Sequence, residues 1–306
     1  MRTPHVLSLA AALLLAVAPD ARAQLATGNW TPAYGAPLVV QTTQSTMKYG
    51  AGQLYGSSSA ELDGAYGYVD GGALHLLLTG NLVLGWTIEG VEVWQPVDLF
   101  LDTCPGGQNV LLANNAVAQP NLYDVNRLAG LRFDPGFEPD WWFTLGGSGA
   151  YFPNLAAAMA ELPTAGAGAG AVLGTTTSGQ SLALSGGTNP FGISAALDDS
   201  NTVGVTHGCG AWSGPEISSG VEWVIPLAAI GNPTGCIRVC AMLTTGDHSQ
   251  LHNQVLGPLP PGTCDLGAAA AADFGAIAGE QWFTVCPGGP TPARRSTWGA
   301  LKSAYR

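Results

Sequence analysis

Charge is what this chain has least of. Only 10% of its 306 residues are charged, and its 10 Lys and Arg are outnumbered by 21 Asp and Glu. Between Gln24 and Pro290 the bases are Lys48, Arg127, Arg132 and Arg238. So acidic a body repels phosphate backbones, which argues against nucleic acid as a partner. Scarce Glu, Lys and Arg also remove the residues from which long amphipathic helices are built. Beyond the first residues no apolar run reaches the ~18 needed to cross a bilayer, so no transmembrane span is expected in the mature chain. The sequence has no C-x-x-C, no G-x-S-x-G and no H-E-x-x-H. Those absences weigh against a zinc site, a nucleophile elbow and a helical zinc protease.

What is abundant is glycine, with 43 residues, and proline, with 21, in a chain that is 46% hydrophobic. Many turn formers together with enough apolar residues for a core describe short strands. The expected fold is all-β, an antiparallel β-sandwich or jelly roll with few or no helices.

The chain opens with Met1-Arg2, an apolar run from Val6 to Ala18, and Ala21-Arg22-Ala23 before Gln24. A short basic start, an apolar stretch too short to span a bilayer and an A-x-A site predict a signal peptide over 1–23. Residues 24–286 then form the sandwich domain. Cys286-Pro287-Gly288-Gly289-Pro290-Thr291-Pro292 begins a stiff spacer, and 287–306 forms a cationic tail. In that tail Trp298, Leu301 and Tyr305 share one face of a short helical pattern, beside Arg294, Arg295, Lys302 and Arg306. The segment is expected to be a sorting or attachment signal, making sorting machinery one partner and the protein secreted, with possible surface attachment.

The stretch that organises the body is Val97 to Asn109, VDLFLDTCPGGQN. Val97, Leu99 and Leu101 alternate with Asp98 and Phe100, the period of a strand, which then meets a turn built on Pro105-Gly106-Gly107. Other strands are expected over Pro37–Thr46, Glu61–Tyr68, Ala73–Thr79, Leu128–Phe133, Asp140–Leu145, Gln180–Ser185, Gly192–Leu197, Val221–Leu227, Cys236–Leu243 and Gln281–Val285. Asp70-Gly71-Gly72 marks a hairpin. Leu155–Leu162 has the propensity for one short helix, and Thr164–Gly174 reads as a flexible link or a glycine-rich strand pair.

Six cysteines, Cys104, Cys209, Cys236, Cys240, Cys264 and Cys286, form an even set in an exported chain and predict three disulfides. Fifteen pairings are open. Cys236 and Cys240 on one extended strand stand too far apart to bridge each other.

Three chemistries have candidate residues. Asp98, Asp102, Gln108 and Asn109 supply the hard oxygens calcium wants, making structural calcium a possible cofactor; Asp102 and Asn109 equally suit tying the turn through backbone hydrogen bonds. Asp198-Asp199-Ser200-Asn201 is a second acidic turn. Trp141, Trp142 and Trp212 are the candidates for stacking on polysaccharide, with Trp94 and Trp223 behind them, although tryptophan in a sandwich more often belongs to the core. For catalysis the candidates are carboxylates: Glu61-Leu62-Asp63, which resembles the start of the E-x-D-x-E run of retaining jelly-roll glucanases without its second glutamate, and Glu138 with Asp140. A retaining pair stands about 5 Å apart, a spacing that strand neighbours reach. His248 and His252 fall between Gly246 and Pro258, a stretch that reads as loop rather than as a helical metal pair.

Four stretches carry a resemblance: ELDGAYGYVDGGALHLLLTGNL, VDLFLDTCPGGQN, LAGLRFDPGFEPDWWFTL, and GVEWVIPLAAIG with DHSQLHNQVLGPLPPGTCDLG. They resemble uncharacterised exported bacterial β-sandwich proteins that carry C-terminal sorting tags. More remotely the pattern is similar to DOMON-like and family 9 carbohydrate-binding modules. The resemblance implies a sandwich over most of 60–285. Cys104, His248 and His252 depart from the pattern. The functional expectation is a non-catalytic surface or matrix protein with a structural or binding role. The alternative is a carbohydrate-binding module or, less favoured, a glycoside hydrolase, with polysaccharide or surface components as partners.

Overall fold

A computed structural model describes residues 25–45, 60–82, 84–88, 91–117, 119, 124–147, 154–201, 208–211 and 217–288. The expected signal peptide, the expected sorting tail from 289 onward and Trp212 lie outside the described residues.

Sixteen strands and no α-helix occur among the described residues. In chain order they are β1 (Val39–Val40), β2 (Glu61–Asp70), β3 (Ala73–Asn81), β4 (Gly85–Ile88), β5 (Val91–Trp94), β6 (Val97–Asp102), β7 (Trp141–Gly147) and β8 (Asn154–Glu161). Then follow β9 (Gly170–Thr177), β10 (Ser185–Gly186), β11 (Ser194–Leu197), β12 (Gly220–Pro226), β13 (Ile237–Thr244), β14 (Gln250–Leu256), β15 (Gly267–Ala268) and β16 (Phe283–Val285). The small sheet runs β1-β2-β3-β12-β11; the large one runs β10-β9-β8-β7-β6-β13-β14-β15, with β16 sharing the β14 edge of β13. β4 and β5 form a separate hairpin. All these pairings are antiparallel, so the expected β-sandwich is present.

The organising strand sits where its pattern demands. β6 lies between β7 and β13 in the middle of the large sheet. Val97, Leu99 and Leu101 face the inner core, where they join Leu74, Leu76 and Leu78 of β3 and Val221, Trp223 and Ile225 of β12. Phe100 points the other way into a second core, made with Trp142, Cys240 and Met242 and roofed by Leu128, Leu131, Phe133, Phe137 and Phe274 from irregular segments. The large sheet is thus buried on both faces, and every residue of β6 is buried.

Some expectations are corrected. Leu155–Leu162 is strand β8: small alanines fit on both faces between β7 and β9, and sheet pairing overrides the residues' helical propensity. Leu128–Phe133 is not a strand. It follows a 3-10 turn over Val125–Leu128, capped by the Asp124 side chain on the Asn126 amide, and among the described residues its bridges are two isolated ones at Arg132, to Val110 and Asp273. Of Pro37–Thr46 only Val39–Val40 is a strand. His252 lies in β14, while His248 occupies the β13–β14 turn in a left-handed conformation.

Two disulfides form rather than three, Cys209–Cys264 and Cys236–Cys286. Cys240 is enclosed in the second core and Cys104 is exposed on the turn after β6, so neither is bonded.

Candidate functional site

The predicted aromatic platform is mostly interior. Trp142 is buried in the second core and its indole Nε1 donates to Asp98 Oδ1 at 2.9 Å. Trp141 is half-buried against the inner core, and Trp223 is fully enclosed there. Strand alternation explains the split, since neighbours must face opposite ways and here both faces are covered.

The four residues considered for calcium each have protein partners. Asp98 is buried, and besides Trp142 it accepts from Thr244 Oγ1 at 2.5 Å and lies 2.9 Å from His248 Nδ1. Asp102 pairs with Arg238 at 2.7 Å and accepts the Glu138 amide. Burial still pushes its carboxyl above the usual range, against that hydrogen bond and the arginine. Gln108 binds Asn115 and the Pro163 carbonyl, while Asn109 Nδ2 donates to the carbonyls of Phe133, Asp134 and Phe137. The motif's side chains therefore hold the roof over the large sheet. Gly107 permits this: at φ 95° it packs so closely that a Cβ would meet the Glu138 carbonyl. Among the described residues no group of three or more His, Cys, Asp or Glu is placed to hold a metal ion.

The carboxylates considered for catalysis fall in different settings. Asp140 accepts from the Thr103 amide and hydroxyl and lies 2.9 Å from Cys104 Sγ. That hydrogen bond, ahead of partial burial, raises the thiol's pKa. Glu138 is exposed. Glu61 and Asp63 are both buried, and burial followed by the Asp63 charge pushes the Glu61 carboxyl up to about 9. His252 is buried with neither ring nitrogen hydrogen-bonded, its Nδ1 3.5 Å from Asp265.

The outer face of the small sheet is different. Tyr66 and Tyr68 of β2, His75 of β3 and Glu222 of β12 point outward there, as the alternation with inward Leu76 and Trp223 requires. Glu222 gathers the N-terminal segment. Its carboxylate accepts from the Thr27 amide (2.5 Å) and hydroxyl (2.9 Å), the Gly28 amide (3.0 Å) and the Tyr34 hydroxyl (2.6 Å). Burial, then the Glu222 carboxylate, raises the Tyr34 pKa far above its usual value, so that hydroxyl stays a donor. Burial likewise lowers the His75 pKa, and the ring stacks on Tyr68 at 4.4 Å. Asp198, in the second acidic turn, accepts from Asn29 and Ser200; despite burial, these bonds hold it below the usual carboxylate range.

The segment tied down in this way turns through Pro32–Tyr34 and leaves a cleft of about 420 Å³ at its side. Trp30, Gly35, Ala36, Pro37, Tyr66, Ile217 and Ser218 line it. Trp30 is 38% exposed, and its ring is held: the indole Nε1 donates to the Gly35 carbonyl and the backbone amide to Ser218. Leu38 and Val40, nearby in sequence, are exposed too. Trp30 precedes the first expected strand, Pro37–Thr46, and is not among the candidate site residues named from the sequence. The available signal was its position outside every alternating run, which gave it no reason to be core.

No protein-family model, curated protein or solved structure matches this chain.

Proposed function

We propose that this is an exported, non-catalytic β-sandwich with a structural or binding role at a surface or in an extracellular matrix, sorted or attached through its C-terminal tail. The observation that carries the reading is the use made of its buried carboxylates. Asp98, Asp102 and Glu222 each accept two or more hydrogen bonds or an ion pair from the fold itself: Asp98 joins neighbouring strands of the large sheet, and Asp102 and Glu222 tie covering segments to a sheet. Side chains committed in this way act as ties between layers rather than as proton donors to a substrate. Two disulfides fit an oxidising compartment. No helix among the described residues is long and apolar enough to cross a membrane.

The test is deletion of Arg294 to Arg306 followed by fractionation of the producing cells. Loss of the protein from the cell surface into the medium supports the reading; equal retention overturns the role given to the tail. A second reading, carbohydrate binding, is favoured by the Trp30 cleft.

A further inference from the structure

We propose that the cleft bounded by Trp30, Pro37, Tyr66 and Ser218 is a binding subsite for a neutral pyranose of a polysaccharide, which rests on the binding role given above. Three observations meet there. First, Trp30 presents an indole to solvent in a molecule whose Trp142 and Trp223 are enclosed. The indole Nε1 bond to the Gly35 carbonyl holds the ring, and the amide hydrogen bond to Ser218 its backbone, before any ligand arrives, so little rotamer freedom is lost on stacking. A rigid aromatic face suits the apolar C–H face of a sugar ring.

Second, none of the described residues that line the cleft carries a charged side chain, and the chain as a whole carries a formal charge of −11. None of these residues compensates an anionic sugar, and the acidic molecule repels one. The described lining suits a neutral saccharide. Third, the lining mixes apolar faces (Trp30, Pro37, Ile217) with hydrogen-bonding groups (the Tyr66 and Ser218 hydroxyls and nearby backbone), and its volume falls in the range of small-molecule sites. The floor is stiff: Tyr66 packs edge-on to Tyr34, which Glu222 holds.

The experiment is calorimetric titration of the oxidised mature protein with cellohexaose, maltohexaose, xylohexaose, an oligogalacturonate and a proline hexapeptide. Saturable binding of at least one neutral oligosaccharide is expected, with none of the oligogalacturonate. Trp30→Ala is expected to weaken Kd about tenfold or more, the value of a lost aromatic face, with a smaller loss for Trp30→Phe. Phe191→Ala, exposed elsewhere, should leave Kd unchanged. Matching melting curves establish that each variant is folded. Binding indifferent to Trp30→Ala, no binding of any neutral probe, or preference for the proline peptide each overturns the proposal. Release of shortened sugars during titration would overturn the non-catalytic reading and leave the subsite standing. Absence of binding with tail-dependent surface retention would do the reverse.

Discussion

Each sheet of this sandwich has an outer face with a cover, and the two covers are built differently. Over the large sheet lie segments 103–140 and 257–282, which bring phenylalanines into a second core: Phe133 packs on Phe100, Phe137 and Phe274 at ring distances of 4.9, 5.3 and 6.0 Å. Both disulfides serve this side, one through Cys264 of the cover and one joining the ends of β13 and β16. Over the small sheet lies one strap, 25–40, with few buried apolar side chains: Ala26 packs against Ala196 and Val224, and Tyr34 edge-on against Tyr66 and Tyr68. It is held by polar ties to Glu222 and Asp198 and exposes Leu25, Trp30, Leu38 and Val40. A cover that is itself core cannot give up side chains to a ligand without losing stability. A strap held by a few hydrogen bonds can, which is why the cleft belongs there.

Reducing the disulfides should have the largest effect on this comparison. They close loops of 55 and 50 residues, and each is expected to contribute about 4 kcal/mol by loop entropy. Urea unfolding with and without reductant measures the loss. If the covers are as unequal as they look, hydrogen exchange in the reduced protein should rise first over 257–282 while 25–40 changes little. Next is Asp98→Ala, which strips Trp142, Thr244 and His248 of a shared buried partner; about 3–5 kcal/mol is expected, because the donors stay buried. Glu222→Gln is the matching cut on the other side. It keeps the shape but exchanges a carboxylate for an amide that accepts through one oxygen only, costing about 1–3 kcal/mol. Limited proteolysis should then cleave within 25–40 while the body stays intact.

Much of the architecture was legible. β6, the β2–β3 hairpin and β12 follow from alternation and from Asp70-Gly71-Gly72, because one face of each meets the inner core. What was not legible comes from the doubly covered sheet. Asp98 and Trp142 belong to strands with a second buried face, so a polar residue taken for a surface ligand and an aromatic taken for a platform turned out to be partners. β8 hid as a helix because its alanines carry no period. In the turn motif, Asp102 and Asn109 make the backbone ties that their side chains suit, to carbonyls and an amide of 133–138. Trp30 was passed over because its setting depends on Glu222, nearly two hundred positions away.

Titration provides a finer probe. Glu61 has a folded pKa of about 9 against an ordinary value near 4.5, so the folded state holds its proton more tightly than the unfolded chain. Its contribution to stability is therefore complete below about pH 4.5 and is lost as pH rises through 9. Burial raises Asp102 and Asp134 in the same sense. Glu61→Gln should stabilise the protein at pH 8 by at least about 1 kcal/mol, the worth of one pKa unit. Its advantage should vanish at pH 4. Melting curves at the two pH values check both sign and window, and a variant equally stabilised at pH 4 would contradict them.

The smallest effect sharpens the comparison most. Trp30 is a large aromatic, and an enclosed tryptophan replaced by alanine costs about 3–5 kcal/mol. On the strap it is 38% exposed and fixed by one side-chain hydrogen bond. Trp30→Ala should therefore cost clearly less than that: about 1 kcal/mol for the bond plus the burial of part of the ring. Trp142→Ala, in the sheet beneath the other cover, should cost the full core amount. A tryptophan that can be removed so cheaply is not there to hold the fold, and its fixed, solvent-facing ring is then best explained by what it meets from outside. A large loss at Trp30 would instead make the strap a third core and withdraw the contrast on which the cleft's assignment depends.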